Sequence, residues 1–434
     1  MVMNLPFEKI LLDDAPLEII DCKEDESPIN FDEILDEGYC LVLNWSNLTE
    51  NGFNFERTQF ISKEKDESLI NCKLNRGDVV LSIRNNWGCN MGNVVFYGDD
   101  VEFDNIRIDS GMVILRPEEK LLNQFLYYFI QSDCFKKQIG GHKYLALRDK
   151  NPPLPLPTLK KFEFYFPPLD QQKRIVEFFS QLDEKIDSHK KINENLKEQL
   201  NTIYNSFFEY YDGFSRDDLK ESEIGLIPKH WDLLTLGEVT TEIKETVENN
   251  MELFSPDYGL DLILFDSRGR LKKTGIKNYI VVKPKEFAYN PYEINRKFNR
   301  PFDFYSNKTK REFIRINDFD FDGCVNPRYV VFKVEGGYEN FMNMYFKSNT
   351  FNQAIRKLSS DLNIRKMYYD DFSMIKIAYP PKETVDNFNN IYETFQELIK
   401  CNGSIISNLE KIKETLLPKL IAGEIDVSEI NWDY

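Results

Sequence analysis

The side chains in this sequence with the clearest chemical potential are cationic groups gathered in two places. Residues 266–315 hold fourteen Lys/Arg against five Asp/Glu, and a smaller basic island runs from Lys136 to Lys150. The balance of the chain has the opposite sign: the net charge is −17, and residues 1–37 hold twelve Asp/Glu against Lys9 and Lys23. The whole surface is therefore not a nucleic-acid footprint. Two basic regions on an acidic protein can be presented to an anionic polymer while the acidic faces serve other partners.

Catalytic groups are not found in any working pattern. His142, His189 and His230 are too few and too dispersed for a triad or a metal cage. No Walker A sequence and no GxGxxG occurs. The cysteines at 22, 40, 72, 89, 134, 324 and 401 include no CxxC, and read as reduced thiols packed as small hydrophobes. "NPPL" at 151–154 shares Asn-Pro-Pro with amino-methyltransferases, but Leu154 cannot stack on a flipped base and no cofactor loop stands upstream. "PEEK" at 117–120 contains the Glu-x-Lys half of a nuclease site without a suitably placed Asp, and reads as the first turn of a helix. The expectation is a chain with no catalytic residue, no metal and no cofactor of its own. The start, "MVMNLPFEKILLDDAP", lacks a basic n-region and an apolar h-region, and no apolar run is long enough to span a bilayer.

The elements that carry the basic regions come in two copies. Pro167-Pro168 and Pro380-Pro381 stand 213 residues apart, and at that offset Ile175 matches Phe388, Leu182 matches Phe395, Leu196 matches Leu409 and Ile203 matches Leu416. Upstream, "FLYYFIQSDCFKKQI" (125–139) is similar to "FMNMYFKSNTFNQAI" (341–355), and "GMVILRP" (111–117) and "RYVVFKV" (328–334) precede them. "LNRGDVVLS" (74–82) occupies the place of "VVKPKEFAY" (281–289). Repeated segments in one order imply a duplicated unit. Each copy reads as a strand-rich globular domain with one amphipathic helix near its end, at 119–139 and 336–357, followed by a long helix behind a proline pair. The expected bounds are 1–166 and 213–379 for the globular domains, with the long helices in 167–212 and 380–434.

In 170–208 apolar residues recur at 175, 178/179, 182, 186, 192, 196, 200, 203 and 207, the three-and-four spacing of a coiled-coil seam. Ile175, Phe179, Leu182, Ile186, Leu196 and Ile203 on one helix, and Phe388, Phe395, Ile399, Leu409 and Leu416 on the other, form the expected helix–helix seam. His189 and its counterpart Asn402 fall on it as polar residues that fix register. The fold class is α+β: two mixed α/β domains separated by two long antiparallel helices, with a pseudo-twofold internal duplication. A helix of about 40 residues is about 60 Å long, and DNA-reading dimers space their half-sites by about 34 Å or multiples of it. A rod between two basic domains suits a split DNA site; a coiled-coil adaptor that binds only protein is the alternative of another class.

The segments behind the proline pairs carry a resemblance. "PPLDQQKRIVEFFSQLDEKIDSHKKINENLKEQLNTIYNSFF" (167–208) and "NLEKIKETLLPKLIAGEIDV" (408–427) resemble the central and distal conserved regions of the specificity (S) subunits of type I restriction–modification systems. "IGLIPKHW" (224–231) looks like the start of that family's second target-recognition domain, for which "LPFEKILL" (5–12) is a degenerate first copy. "FAYNPYEINR" (287–296) and "VNPRYVVFKV" (325–334) are similar to its Tyr-Asn-Pro and Ser-Pro-x-Tyr segments, with Asn326 in place of serine. "RGDVVLS" (76–82) is the matching strand of the first domain.

The resemblance implies that each globular domain is a target-recognition domain reading one half of a bipartite double-stranded DNA sequence. The helices would set the spacer and dock two modification (M) subunits, which carry S-adenosylmethionine and methylate adenine. Restriction (R) subunits, driven by ATP with Mg, would complete the nuclease in a prokaryotic cytoplasm. The specificity component of a related methylation-based defence system is the nearest alternative. Base readout calls for Arg, Lys, Asn and Gln on loops facing the major groove. The first domain offers Arg84, Asn85, Asn86, Lys143 and Arg148; the second offers Arg268, Arg270, Lys272, Lys273, Asn295, Arg296, Lys297, Arg300 and Arg311.

Overall fold

Gly, Asn, Asp and Pro interrupt the Val, Ile, Leu and Phe runs of the two globular regions every few residues, which favours brief strands. The computed structural model describes residues 7–22, 29, 31–44, 47–49, 52–55, 58–69, 71–84, 91–109, 111–145, 153–247, 252–256, 262–264, 279–283, 285–289, 314–315, 323–325, 327–362 and 366–427. It divides into two compact units, Met1–Lys191 with Asn402–Tyr434, and Ile192–Cys401.

The first unit begins with β1 (Glu8–Leu11), β2 (Leu17–Asp21), β3 (Cys40–Leu43), β4 (Leu48–Thr49), β5 (Gly52–Phe53), β6 (Gln59–Ile61), α1 (Lys63–Ser68), β7 (Val79–Ser82), β8 (Val94–Phe96), β9 (Ile106–Ile108) and β10 (Met112–Pro117). There follow α2 (Asn123–Gln131), α3 (Asp133–Leu145), α4 (Leu156–Leu159), β11 (Glu163–Phe166) and the long helix α5 (Leu169–Tyr204). One antiparallel sheet has the order β2-β10-β7-β8; a second, β6-β3-β9, has β3 and β9 parallel. On one face of the first sheet Val79, Leu81, Val113 and Leu115 pack with Phe125, Phe129, Phe164 and Phe179. On the other, Val80, Val95 and Ile114 pack with Leu41, Leu43, Ile106 and Ile108 of the second sheet. Because β7 is covered on both faces, it reads as the continuous apolar run "VVL" rather than an alternation.

The second unit repeats this order. It contains the hairpin β12 (Leu219–Ser222) and β13 (Gly225–Pro228), then β14 (Asp232–Thr235), α6 (Leu236–Val239), β15 (Thr240–Ile243), β16 (Glu252–Pro256), β17 (Leu262–Leu264), β18 (Ile280–Val282), β19 (Phe287–Tyr289) and β20 (Ile314–Arg315). It continues with β21 (Gly323–Val325), β22 (Val330–Val334), α7 (Glu339–Tyr345), α8 (Asn349–Asp361), α9 (Tyr369–Ser373), β23 (Lys376–Tyr379) and the long helix α10 (Lys382–Ile421). The sheet β15-β22-β19-β20 matches β2-β10-β7-β8, and the parallel pair β16·β21 matches β3·β9. β1 in the first unit and β14 in the second pair antiparallel with the last strand before the proline pair, Glu8 opposite Phe166 and Asp232 opposite Tyr379. Phe7 and Trp231 hold the same place one residue before those strands, and each packs on its own unit's core. The duplication is one of strand order and direction.

Two expectations are corrected. Each anticipated amphipathic helix is a pair, α2–α3 and α7–α8, because a serine sits at the break. Ser132 leaves helical geometry at ψ 154°, and its hydroxyl donates to the Phe129 carbonyl. Ser348, at ψ 161°, accepts from the Phe351 N–H at 3.1 Å as the N-cap of α8. Glu118 to Lys120 form a turn, with Lys120 at φ +77°, so "PEEK" precedes the helix and is not its first turn.

In the first unit α5 and α10 run antiparallel, with Asp183–Lys413 at 2.6 Å, Lys190–Glu410 at 3.6 Å and His189 Nδ1–Asn402 Oδ1 at 3.1 Å. In the second, Asn193 Nδ2 donates to the Ile399 carbonyl at 3.3 Å, and the Tyr204 and Phe388 ring centres lie 5.9 Å apart. Ile175, Phe179, Leu182, Ile186 and Phe388 are buried; Leu196, Ile203, Phe395, Ile399, Leu409 and Leu416 are partly so. Ile175, Phe179 and Leu182 pack on α2 and β11 as well as on the partner helix. Ile192 and Phe207 lie off the seam, 44% and 36% exposed. His189 faces Asn402 as its place on the seam required, and Asn193 takes the place an apolar reading gave to Ile192. A π-helical turn at Asn205–Glu209 then advances the phase and buries Phe208 instead of Phe207. Gln172, fully buried, fastens α5 to the preceding turn. Its amide donates to the Lys120 and Pro167 carbonyls at 2.9 Å, and its oxygen accepts from the Leu122 N–H at 2.8 Å.

Candidate nucleic-acid interface

The edge that positions the first candidates lies beyond the C-terminal end of β7. The Ser82 hydroxyl donates to the Arg84 carbonyl at 3.1 Å and turns the chain out of the sheet. Ile83 N–H donates to the Gly111 carbonyl at 3.0 Å, and the Ile83 carbonyl accepts from Leu154 N–H at 2.8 Å. Gly111 has φ +90°, and a Cβ there would stand 3.2 Å from Arg84 Cδ, so glycine lets the two strands' ends approach. On the return, Gly92 N–H donates to the Ser82 carbonyl at 2.9 Å, with Ile139 of α3 against it. The connection between β7 and β8 and the connection between α3 and α4 are thus fastened to one place.

Arg84 is exposed at this edge. Among the described residues no carboxylate pairs with it, whereas neighbouring arginines are committed internally. Arg76 bonds Asp104 and packs over Tyr97, and Arg116 bonds Asp78 at 2.8 Å. Arg107 is buried, donating to the Asp66 carboxylate and to the carbonyls of Asp66, Leu69 and Asn71 at the end of α1. Burial works to raise the Asp66 carboxyl, but the hydrogen bonds from Lys73 and Arg107 outweigh it and hold it below the ordinary 3.8. These cations fasten the fold, whereas Arg84 has no carboxylate partner among the described residues.

Lys143 lies in the last turn of α3, with Lys136 and Lys137 exposed earlier on that helix. Asn85, Asn86 and Arg148 fall outside the described residues, in the two connections just located. In the second unit β19 and β20 pair with Phe287 opposite Arg315, so residues 290–313 leave and rejoin the same end of the sheet. That connection is the counterpart of the one between β7 and β8. It contains Asn295, Arg296, Lys297, Arg300 and Arg311, all outside the described residues. Arg268, Arg270, Lys272 and Lys273, also outside them, belong instead to the link between β17 and β18, the counterpart of the stretch holding α1. The fold therefore separates candidates that the sequence reading grouped together. Leu147-Arg148 after α3 and Ile364-Arg365 after α8 are equivalent by the repeat, so Arg365 joins the candidates; the offset alone would have found it. Among the described residues no cluster of acidic, His or Cys side chains could hold a metal, and no helix is long and apolar enough to cross a membrane.

Comparison with known proteins gives this arrangement a class. The type I restriction modification DNA specificity domain matches residues 18–198. The chain is 22% identical over 328 residues to the type I restriction enzyme MjaIX specificity subunit of Methanocaldococcus jannaschii, covering 74% of this chain and 73% of that one. It is 23% identical over 339 residues to the MjaVIII specificity subunit of the same organism, covering 75% and 76%. The solved S subunit of a type I restriction–modification system from M. genitalium aligns over 97% of this chain and 98% of its own, at 14% identity and TM-score 0.47. Residues 18–198 thus resemble a DNA specificity domain. Over about three quarters of its length the chain is similar to specificity subunits of type I restriction enzymes.

Proposed function

We propose that this chain reads a bipartite DNA sequence, one half-site per globular domain, and scaffolds the subunits that act on it. The observation that supports this most is the repeated edge: in each unit the connection after the central strand, β7–β8 or β19–β20, carries the arginine- and asparagine-rich candidates. Arg and Asn there would read guanine and adenine edges in the major groove. The long helices would hold the half-sites at a set spacing and dock two modification subunits. These would bring S-adenosylmethionine and methylate adenine; restriction subunits would bring ATP-driven cleavage. The phosphate grip would come largely from the modification subunits, which reconciles a net charge of −17 with DNA binding.

Footprinting of the chain with its cognate modification subunit tests the reading. Two protected patches separated by a spacer of indifferent sequence are expected. A single continuous footprint, or none, overturns it.

A further inference from the structure

We propose that the β4–β5 ribbon of the first unit is a further DNA-contacting element, standing beside Arg84 on the same edge and meeting the half-site this unit reads. This rests on the reading of the chain as a DNA-reading subunit. Two hydrogen-bonded routes bring the ribbon to that edge. Asn93 Nδ2 donates to the Leu48 carbonyl at 3.4 Å, while the Asn93 carbonyl accepts from Ser82 N–H at 2.8 Å, two residues before Arg84. Independently, the Leu43 carbonyl accepts from Asp109 N–H at 2.8 Å, next to the Gly111 turn that carries Ile83.

The ribbon is held stiffly at its base. The Asn47 side chain accepts from Asn44 N–H at 3.0 Å and donates to the Asn54 carbonyl at 2.7 Å, and Leu48 is buried. The Thr49 hydroxyl donates to the Gly52 carbonyl at 2.8 Å. Gly52 has φ +114°, and nothing lies within 4 Å of where a Cβ would stand, so this backbone faces open space. The sheet does not need the ribbon. β3 and β6 are joined through residues 44–58, whereas their counterparts β16 and β17 are joined through 257–261. A connection longer than the strand pairing requires, rigidly based and set beside an exposed arginine that no described carboxylate pairs, is organised to touch something outside the fold.

Thr49→Lys and Thr49→Glu test this in the full chain assembled with its modification subunit. Both variants lose the hydrogen bond to Gly52, so that loss cancels between them. Affinity for a duplex with both half-sites is measured against salt concentration. The Lys variant is expected to bind about threefold tighter and the Glu variant about threefold weaker at low salt, converging at high salt as the added charge is screened. Shifts in the same direction, or none, with the wild-type complex still specific for a two-part site, overturn the ribbon's role and leave the reading of the chain intact. A wild-type complex with no two-part specificity overturns both.

Discussion

Arg107 shows what a buried charge does in this fold. Its guanidinium takes the last carbonyls of α1 and the Asp66 carboxylate together, so each cation donor on that side has an acceptor. Arg107→Met is expected to cost about 3–5 kcal/mol in urea unfolding, because Asp66 would stay buried with half its partners gone. The same carboxylate gives a pH dependence. Its folded pKa lies below the unfolded 3.8, so its contribution is complete above that value and is lost as pH falls through the lower folded one. Acid titration of Asp66→Asn should lack that part of the loss. In the second domain, Arg296→Ala is expected to weaken discrimination at one half-site by about 1–3 kcal/mol, read from binding to single-base variants. A uniform loss across sequences would place Arg296 on phosphate. Residue type was legible at this scale, since Arg84 and Asn85 can be named as candidates for base readout from type alone. Commitment was not: nothing local distinguishes Arg84 from Arg107, which meets its acceptors from α1 only after the chain has folded back.

Among elements, the long helices were the most legible because their order is local, and spacing alone places Ile175, Phe179, Leu182 and Ile186. Spacing also placed His189 on the seam, opposite Asn402; it failed at Asn193, where it had chosen Ile192, and where a π turn changed the phase. The serines that split the shorter helices were visible as "QSD" and "KSN" at equivalent positions, but a cap and a tolerated mid-helix serine look alike until the break is seen. Strand partners were beyond reach, because β3 meets β9 across more than sixty residues and no local signal encodes that pairing. Two changes probe how elements are joined. Gln172→Leu should destabilise the first unit by about 2–4 kcal/mol in chemical denaturation, since it strands one buried N–H and two carbonyls at the root of α5. Ser348→Ala should cost about 1 kcal/mol through the lost cap of α8, with DNA preference unchanged.

For the whole molecule, the repeat was legible from offsets, and the strand order agrees with it. The assignment of basic residues to particular edges was not, because it follows from pairing rather than from order in the chain. If the helices set the spacing, shortening both by one heptad keeps the seam in phase and removes about 10.5 Å. The preferred spacer should then shorten by about 3 base pairs, with both half-sites unchanged. Methylome sequencing of cells carrying the variant would read this directly, and a changed half-site would show that the helices do not measure.

The contact between His189 and Asn402 has a consequence of a different kind. These residues are equivalents in the two repeats, 213 positions apart, and they meet each other. A helix position that touches its own equivalent is self-complementary, as at the centre of an isologous dimer. A protein made of one repeat would therefore carry a docking site for a second copy of itself, with the same side chain on both sides. Joining two repeats in one chain lifts that constraint. It allows histidine to face asparagine, a pairing that identical copies cannot make, and it lets the two repeats diverge in sequence.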